Sequence, residues 1–289
     1  MYYTSKAKGI SFALLSAIGF SIMPIFAVEA YKADVTVHTL LVLRFGITAI
    51  VLGLYSVYSQ RKINYSKKNI AQFATLGLIL YTAQAILHFS SVKYIAPSVA
   101  ILLLFTFPIF VYLITVILKR EKILLSNLLA IAVAILGLML VIDMNNANLN
   151  SKGVFLSLAA AIVYALYTVL SSYVVRNNDP WITLFLVSVF ATLGILLVGI
   201  FEGNLNFNIK PQAILPITGI ILISTIIADY AFFSALKYIG STQVSVICMM
   251  EPLFTAFFSF IIFFEVLNTQ QYIGVIIVPL ACIWIITRK

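Results

Sequence analysis

Residues 242–265 read TQVSVICMMEPLFTAFFSFIIFFE. The stretch is long and apolar enough to cross a bilayer, which takes roughly 20 residues as a helix. Near its middle stands a carboxylate, Glu251, followed directly by Pro252. A charge at that depth costs about 2.5–3.5 kcal/mol on insertion scales. The proline removes one backbone donor and frees the carbonyl of Cys248, four residues back. Both defects are tolerated together only where protein or water meets the freed groups. The stretch therefore predicts a helix that bends at Pro252 and faces a polar interior rather than lipid.

The rest of the chain fits a membrane setting. Of 289 residues, 63% are hydrophobic and 9% charged, against about 45–50% and about 25% in soluble domains. The net charge of +9 sits in short loops between apolar runs. It therefore reads as an orientation signal, not a nucleic-acid surface. Cys248 and Cys282 lie inside apolar runs, without neighbours at metal-ligand spacing, so neither a disulfide nor a metal site is expected. No cleavable signal peptide is read at the N-terminus.

Ten apolar spans are predicted, at about 9–30, 36–58, 70–92, 97–118, 124–143, 153–175, 181–201, 212–235, 242–264 and 270–287. The breaks between them are too short for a soluble domain. With the N-terminus inside, thirteen basic residues fall on the inner side. Only Lys32, Lys93, Lys152 and Lys210 fall outside, and Arg44 lies within a span. This bias places both termini in the cytoplasm.

The chain also matches itself under a shift of 144 residues. Lys8-Gly9 falls on Lys152-Gly153, Lys93-Tyr94-Ile95 on Lys237-Tyr238-Ile239, Pro108 on Pro252 and Glu121 on Glu265. Landmarks of several residue types in one register mark an internal duplication. Five spans per half is an odd number, so the second half enters the membrane upside down. Inverted repeats of this kind mark carriers that alternate access around a midplane site. The expected architecture is all-α transmembrane: ten helices as two inverted five-helix repeats, residues 1–147 and 148–289, forming one membrane domain.

The segment from Met249 to Val278, with Leu43-Arg44-Phe45 in the second span, resembles the EamA-like branch of the drug/metabolite transporter superfamily. Phe105 to Glu121, FTFPIFVYLITVILKRE, is the looser first-half counterpart. Two departures stand out: Phe264 where the family often has Gly, and Lys119-Arg120 before Glu121. The resemblance implies a carrier without ATPase machinery and with a central cavity between the halves. It also implies that spans 1, 3, 4, 6, 8 and 9 line the cavity, that spans 5 and 10 lie outside it, and that the direction is export.

Candidate cavity residues follow from helical spacing. Tyr81, Gln84, His88 and Ser91 share one face of the third span. Thr218, Thr225 and Asp229 share one face of the eighth. Tyr164, Tyr167, Thr168 and Ser171 cluster in the sixth, and Cys248, Thr255 and Ser259 stand on the Glu251 side. Phe105 adds an aromatic wall. For a single hydroxyl, interhelical hydrogen bonding is the plainer reading; several polar faces together favour a water-accessible cavity. Arg44 could hold an anionic group with its planar fork, or pair with Glu251 or Asp229, and pairing leads. Glu251 and Asp229 could bind a substrate amine or exchange protons; packing is the alternative, and it leads at Asp229. A hydrogen-bonded packing role leads over a proton relay at His88. Pro24, Pro108 and Pro252 are candidate kinks, moving or static.

No Walker loop, nucleophile elbow or paired-histidine motif is present, so no catalytic residue, metal or cofactor is expected. The reading is a secondary transporter in the bacterial cytoplasmic membrane, moving an amino acid or related compound. Organic cations and nucleobase-type solutes are the alternative substrates; a channel or intramembrane enzyme is the alternative class. The expected partners are the small-molecule substrate, the lipid bilayer and a coupling proton. A homodimer is compatible with the sequence, nucleic acid is not.

Overall fold

The computed structural model describes residues 2–59, 66–120, 124–141, 150–263 and 269–287. The landmark pair Glu121 and Glu265, with Phe264 and the basic residues of 61–62, 122 and 288–289, lies outside the described residues. The described chain is helical, with no strand. Seven helical runs are long and apolar enough to cross a membrane, and three shorter apolar helices accompany them.

Helix α1 (Tyr2–Ser21) and α2 (Met23–Lys32) form one run, interrupted at Ile22. Helix α3 spans Val37–Tyr58, with Thr36 capping its first turn through the Thr39 amide. Helices α4 (Lys67–Ala74) and α5 (Thr82–Ser91) are joined by a π-helical stretch, Thr75–Tyr81. Next come α6 (Pro97–Leu104), α7 (Phe107–Ile117) and α8 (Leu125–Val141). The second half holds α9 (Ser151–Arg176), α10 (Pro180–Phe201) and α11 (Pro211–Ile221). A second π-helical stretch, Leu222–Ile227, leads into α12 (Ala228–Cys248), and α13 (Glu251–Phe263) and α14 (Thr269–Thr287) complete it. Inside α12 the backbone breaks at Gly240, where φ is 77°. That left-handed value suits glycine, which lacks the clashing Cβ.

The predicted kinks fall near the prolines, but not on them. Pro24, Pro108 and Pro252 each occupy the first turn of a new helix, after breaks at Ile22, at Phe105–Thr106 and at Met249–Met250. A first turn has no intrahelical acceptor for the missing N–H, so proline is accommodated there. The expected bend at Pro252 is thus a break two residues earlier. There the Met249 and Met250 amides turn back to Val246 and Ile247. The Cys248 carbonyl, read from sequence as freed by Pro252, is simply the last of α12.

The 144-residue shift extends to the backbone. It carries α6 onto Ser241–Cys248 and the start of α7 onto the start of α13. It also places the first π-helical stretch on residues 219–225, overlapping the second. Contacts between the halves are reciprocal. A Cβ added to Gly9 would come within 2.5 Å of Ile239 Cγ2, and one added to Gly153 within 2.7 Å of Ile95 Cγ2. Each contact is the other's mate, the pattern of a self-complementary two-fold interface. The halves also exchange a helix: α1 packs along α12, and α9 packs along α5, α6 and α7. On the axis of this exchange α3 packs on α10, and α8 on α14. The α8–α14 crossing is close, with Gly274 so near that its Cβ would meet the Gly137 oxygen at 2.4 Å. Small residues let membrane helices approach in this way.

At the end predicted to face out, the turn between α2 and α3 is tied to the segment between α10 and α11. Asp34 pairs with Lys210. The Thr36 hydroxyl donates to the Asn204 carbonyl at 2.6 Å, and the Asn206 amide donates to the Thr39 hydroxyl at 2.8 Å. His38 Nε2 stands 3.5 Å from a Glu202 oxygen. The hydrogen bond from Lys210, reinforced by its charge, holds the Asp34 carboxyl below the usual carboxylate range.

Candidate functional site

Arg44 is the best-anchored polar residue of the interior, 3% exposed. Its Nε donates to Thr225 Oγ1 at 2.8 Å. Nη2 donates to the Ser224 carbonyl at 3.1 Å and to Asp229 Oδ2 at 3.3 Å. Nη1 reaches Met23 Sδ at 3.0 Å and Tyr81 Oη at 3.5 Å. A guanidinium has five N–H donors, and each has an acceptor here.

The fold explains why these groups meet. The second π-helical stretch widens the backbone where Ser224 and Thr225 face α3. The Thr225 hydroxyl donates back to the Ile220 carbonyl at 2.9 Å, leaving its oxygen to accept from Arg44. The Ser224 hydroxyl donates to the Gly19 carbonyl at 2.7 Å. At Gly19 a Cβ would lie 2.7 Å from Ala228 Cβ, so glycine permits this close docking of α1. The break at Ile22 then brings Met23 to the guanidinium. Asp229, 8% exposed, completes an ion pair that crosses from the first half to the second.

From this cluster a line of rings runs across the core. Tyr81 meets Tyr167 edge-on at 5.9 Å, and Tyr167 stacks on Tyr164 at 6.1 Å. Tyr164 meets Phe107 at 4.5 Å, and Phe107 meets Phe105 at 6.3 Å. Tyr164 and Met250, the residue before Glu251, pack against the same buried cluster. Glu251 opens α13 and is partly exposed. Among the described residues its carboxylate has no hydrogen-bond or ion-pair partner. The Thr255 hydroxyl, expected on the same side, is directed to two main-chain oxygens, those of Ser21 and Glu251, each at 3.1 Å.

The expected residues thus separate into groups. Arg44, Tyr81, Thr225 and Asp229 form one hydrogen-bonded cluster, which realises the pairing expected for Arg44, with Asp229 as its acid. Tyr164 and Phe105 lie on the aromatic line. Gln84 and His88 follow Tyr81 along α5 outside the Arg44 network. His88 Nδ1 is buried without a hydrogen-bond partner, unlike the hydrogen-bonded packing histidine expected, and the ring meets Phe89 edge-on. Met23 and Ser224, which hold Arg44, were not read as site residues. Met23 carried a faint signal, standing directly before Pro24. Ser224 contributes a main-chain oxygen, which its residue type does not announce.

Comparison with known proteins agrees with this architecture. The EamA-like transporter family profile matches twice, over residues 7–143 and 151–287. A protein of Haemophilus influenzae named "Uncharacterized transporter" is 26% identical, covering 93% of this chain and 92% of its own length. The Bacillus subtilis "Uncharacterized transporter YcbK" is 24% identical over 93% and 89%. One crystal structure superposes with a TM-score of 0.81 at 13% identity, covering 96% of both chains, and shows a shared fold. The relatives' names point to transport rather than catalysis. With the family profile matched across both halves, the chain belongs to the EamA-like transporter family.

Proposed function

We propose that the protein is a secondary transporter moving a small organic metabolite, an amino acid or a related amine-bearing compound, by alternating access. In this reading it sits in a bacterial cytoplasmic membrane as ten crossings in two inverted repeats, 1–147 and 148–289, with both termini inside, and works in the export direction. The observation that carries the substrate class is the contrast between buried Arg44 and partly exposed Glu251. Arg44 has every donor occupied, while the Glu251 carboxylate is unpartnered among the described residues, next to a break in its helix and near a line of tyrosine and phenylalanine rings. A carboxylate with aromatic faces suits the positive end of a solute. A coupling proton would use the same carboxylate.

A second reading, an organic-cation transporter, is favoured by the occupied Arg44 fork, which leaves no free guanidinium for a substrate carboxylate. Flux in proteoliposomes tests both readings with Glu251→Gln, which keeps size and hydrogen bonding but removes the charge. The variant is expected to fold like wild type and to raise the half-saturation concentration at least tenfold or abolish the pH dependence of transport. Wild-type kinetics and pH profile in that variant would refute a role for Glu251. Equal transport of amino acids and of their decarboxylated amines would select the cation reading.

A further inference from the structure

The two halves differ in one place where the repeat predicts the same shape. The shift of 144 residues carries Val37 onto Trp181 and Ile86 onto Tyr230. In the second half the Trp181 indole stacks on the Tyr230 ring, with centroids 4.2 Å apart and planes 28° off parallel. Tyr55 lies against the same indole at 5.8 Å. Three rings fill the wedge between α3, α10 and α12. The mate of this wedge, at the opposite end between α3, α5 and α10, holds a cavity of about 320 Å³ instead. The residues account for the difference. Val37 and Ile86 are smaller than the rings at their mates; at Gly199, the mate of Tyr55, the space is taken by Leu205 and His38.

The cavity is amphipathic. Leu41, Ile86, Phe89 and Ile195 wall it, while Lys93 and Glu202 stand among its lining residues. Glu202 is already engaged, by Asn204 Nδ2 at 3.0 Å and by His38. Lys93 is exposed and forms no ion pair among the described residues, so its ammonium is open to a ligand, while Glu202 keeps its own charge and is held by Asn204 and His38. The volume lies at the lower end of the range for small-molecule pockets, about 300–1,000 Å³.

We propose that this slot binds a small aromatic carboxylate, its ring seated against Ile86 and Phe89 and its carboxylate at Lys93, separately from the Glu251 site. The chain indicates the shape of the occupant, because the mate of the slot is closed by an indole stacked on a phenol. A planar ring fills such a wedge by offset stacking, and an ammonium supplies a charge-assisted hydrogen bond to the carboxylate.

The test uses the full-length protein in detergent, with 3-indolepropionate as probe and calorimetry and thermal shift as readouts. Wild type is expected to bind saturably and to gain thermal stability. Lys93→Ala should weaken binding at least tenfold, and tryptamine, with the same ring and the opposite charge, should bind at least tenfold more weakly. Glu251→Gln should bind the probe like wild type, which keeps this site distinct from the transport reading. The double variant Val37→Trp/Ile86→Tyr copies the filled wedge into the open one. Folded, as judged by elution volume and Tm, it should no longer bind; if it does not fold, the Lys93→Ala comparison decides alone. No saturable binding by wild type would overturn the proposal, as would undiminished binding in the plugged variant or in Lys93→Ala, or loss of binding in Glu251→Gln. Octanoate binding as tightly as the indole acid would identify an acyl-chain slot and overturn it too.

Discussion

The environments of Arg44 and of its repeat mate Ser188 show how the halves divide their labour. Both positions are buried, and both lie on an axial helix that packs near a π-helical stretch. In the first case a guanidinium holds Met23, Tyr81, Ser224, Thr225 and Asp229 together. In the second, the Ser188 hydroxyl is buried without a hydrogen-bond partner. The same contrast recurs at the broken helices, where Glu251 opens α13 and Phe107 opens α7. The duplication has thus kept the break before α7 and α13 while letting charge diverge; the break at Ile22 has no mate, since α9 runs unbroken through Leu166. The lesson is physical: the seam between the halves constrains shape from both sides, whereas a single charged cluster needs only one complete set of partners.

Replacing a residue by its own mate turns this contrast into measurements. The largest effect is expected for Arg44→Ser, which gives the first half the residue of the second. It strands Asp229, and breaking a buried pair from one side costs about 3–5 kcal/mol in soluble cores. Folded yield and Tm in detergent should fall sharply. Adding Asp229→Ala, the residue of its mate Ala85, should recover much of the loss, because no charge is left unpaired. A single variant as stable as wild type would show that the cluster does not hold the halves together.

A smaller loss is expected from Gly274→Ala, which copies the mate Ala130. Its Cβ would lie 2.4 Å from the Gly137 oxygen, a backbone atom that cannot swing aside. Overpacking of this kind costs about 1–3 kcal/mol. The drop in Tm should exceed that of Ala130→Gly, and equal drops would mean that the α8–α14 crossing has room on both sides.

The smallest effect belongs to Asp34→Asn, which copies the mate Asn178. Asp34 titrates below its ordinary value in the folded protein. Its contribution to stability is therefore complete above the unfolded carboxyl pKa of about 3.9 and is lost as pH falls through the lower folded value. The variant should match wild type in strong acid and lie slightly below it at neutral pH. Parallel melting curves across the whole range would dissociate Lys210 from the titration.

Much of this was legible in the chain. The apolar runs foretold most helix ends to within a few residues, because a crossing helix must be apolar over a fixed length; but α1 begins at Tyr2 rather than near residue 9, and α12 runs on to Cys248 past the boundary expected between residues 235 and 242. The 144-residue register foretold that breaks would recur, and the start of α7 does fall on the start of α13. The π-helical stretches were not legible. A π turn is a slip in hydrogen-bond register, and residues such as Leu222 and Ile223 serve an α-helix equally well. Without that slip the Ser224 carbonyl could not be foreseen as a partner of Arg44, and the full occupation of the arginine stayed hidden. The ring stack of Trp181 and Tyr230 was closer to hand, since it follows from reading the mates of Val37 and Ile86 side by side.

The exchange of α1 and α9 between the halves has a consequence for how the protein is made. Gly19 is translated early, yet the hydroxyl that donates to its carbonyl belongs to Ser224, 205 residues later. Until α12 emerges, the face of α1 that will cover it has only lipid or a transient neighbour as company. The first half, for its part, lacks α9. Each half therefore enters the bilayer with a place open for a helix of the other, and assembly is a step that follows insertion. Contacts so distant along the chain form slowly. A ribosome that stalls between the halves would leave the first half with its seam uncovered.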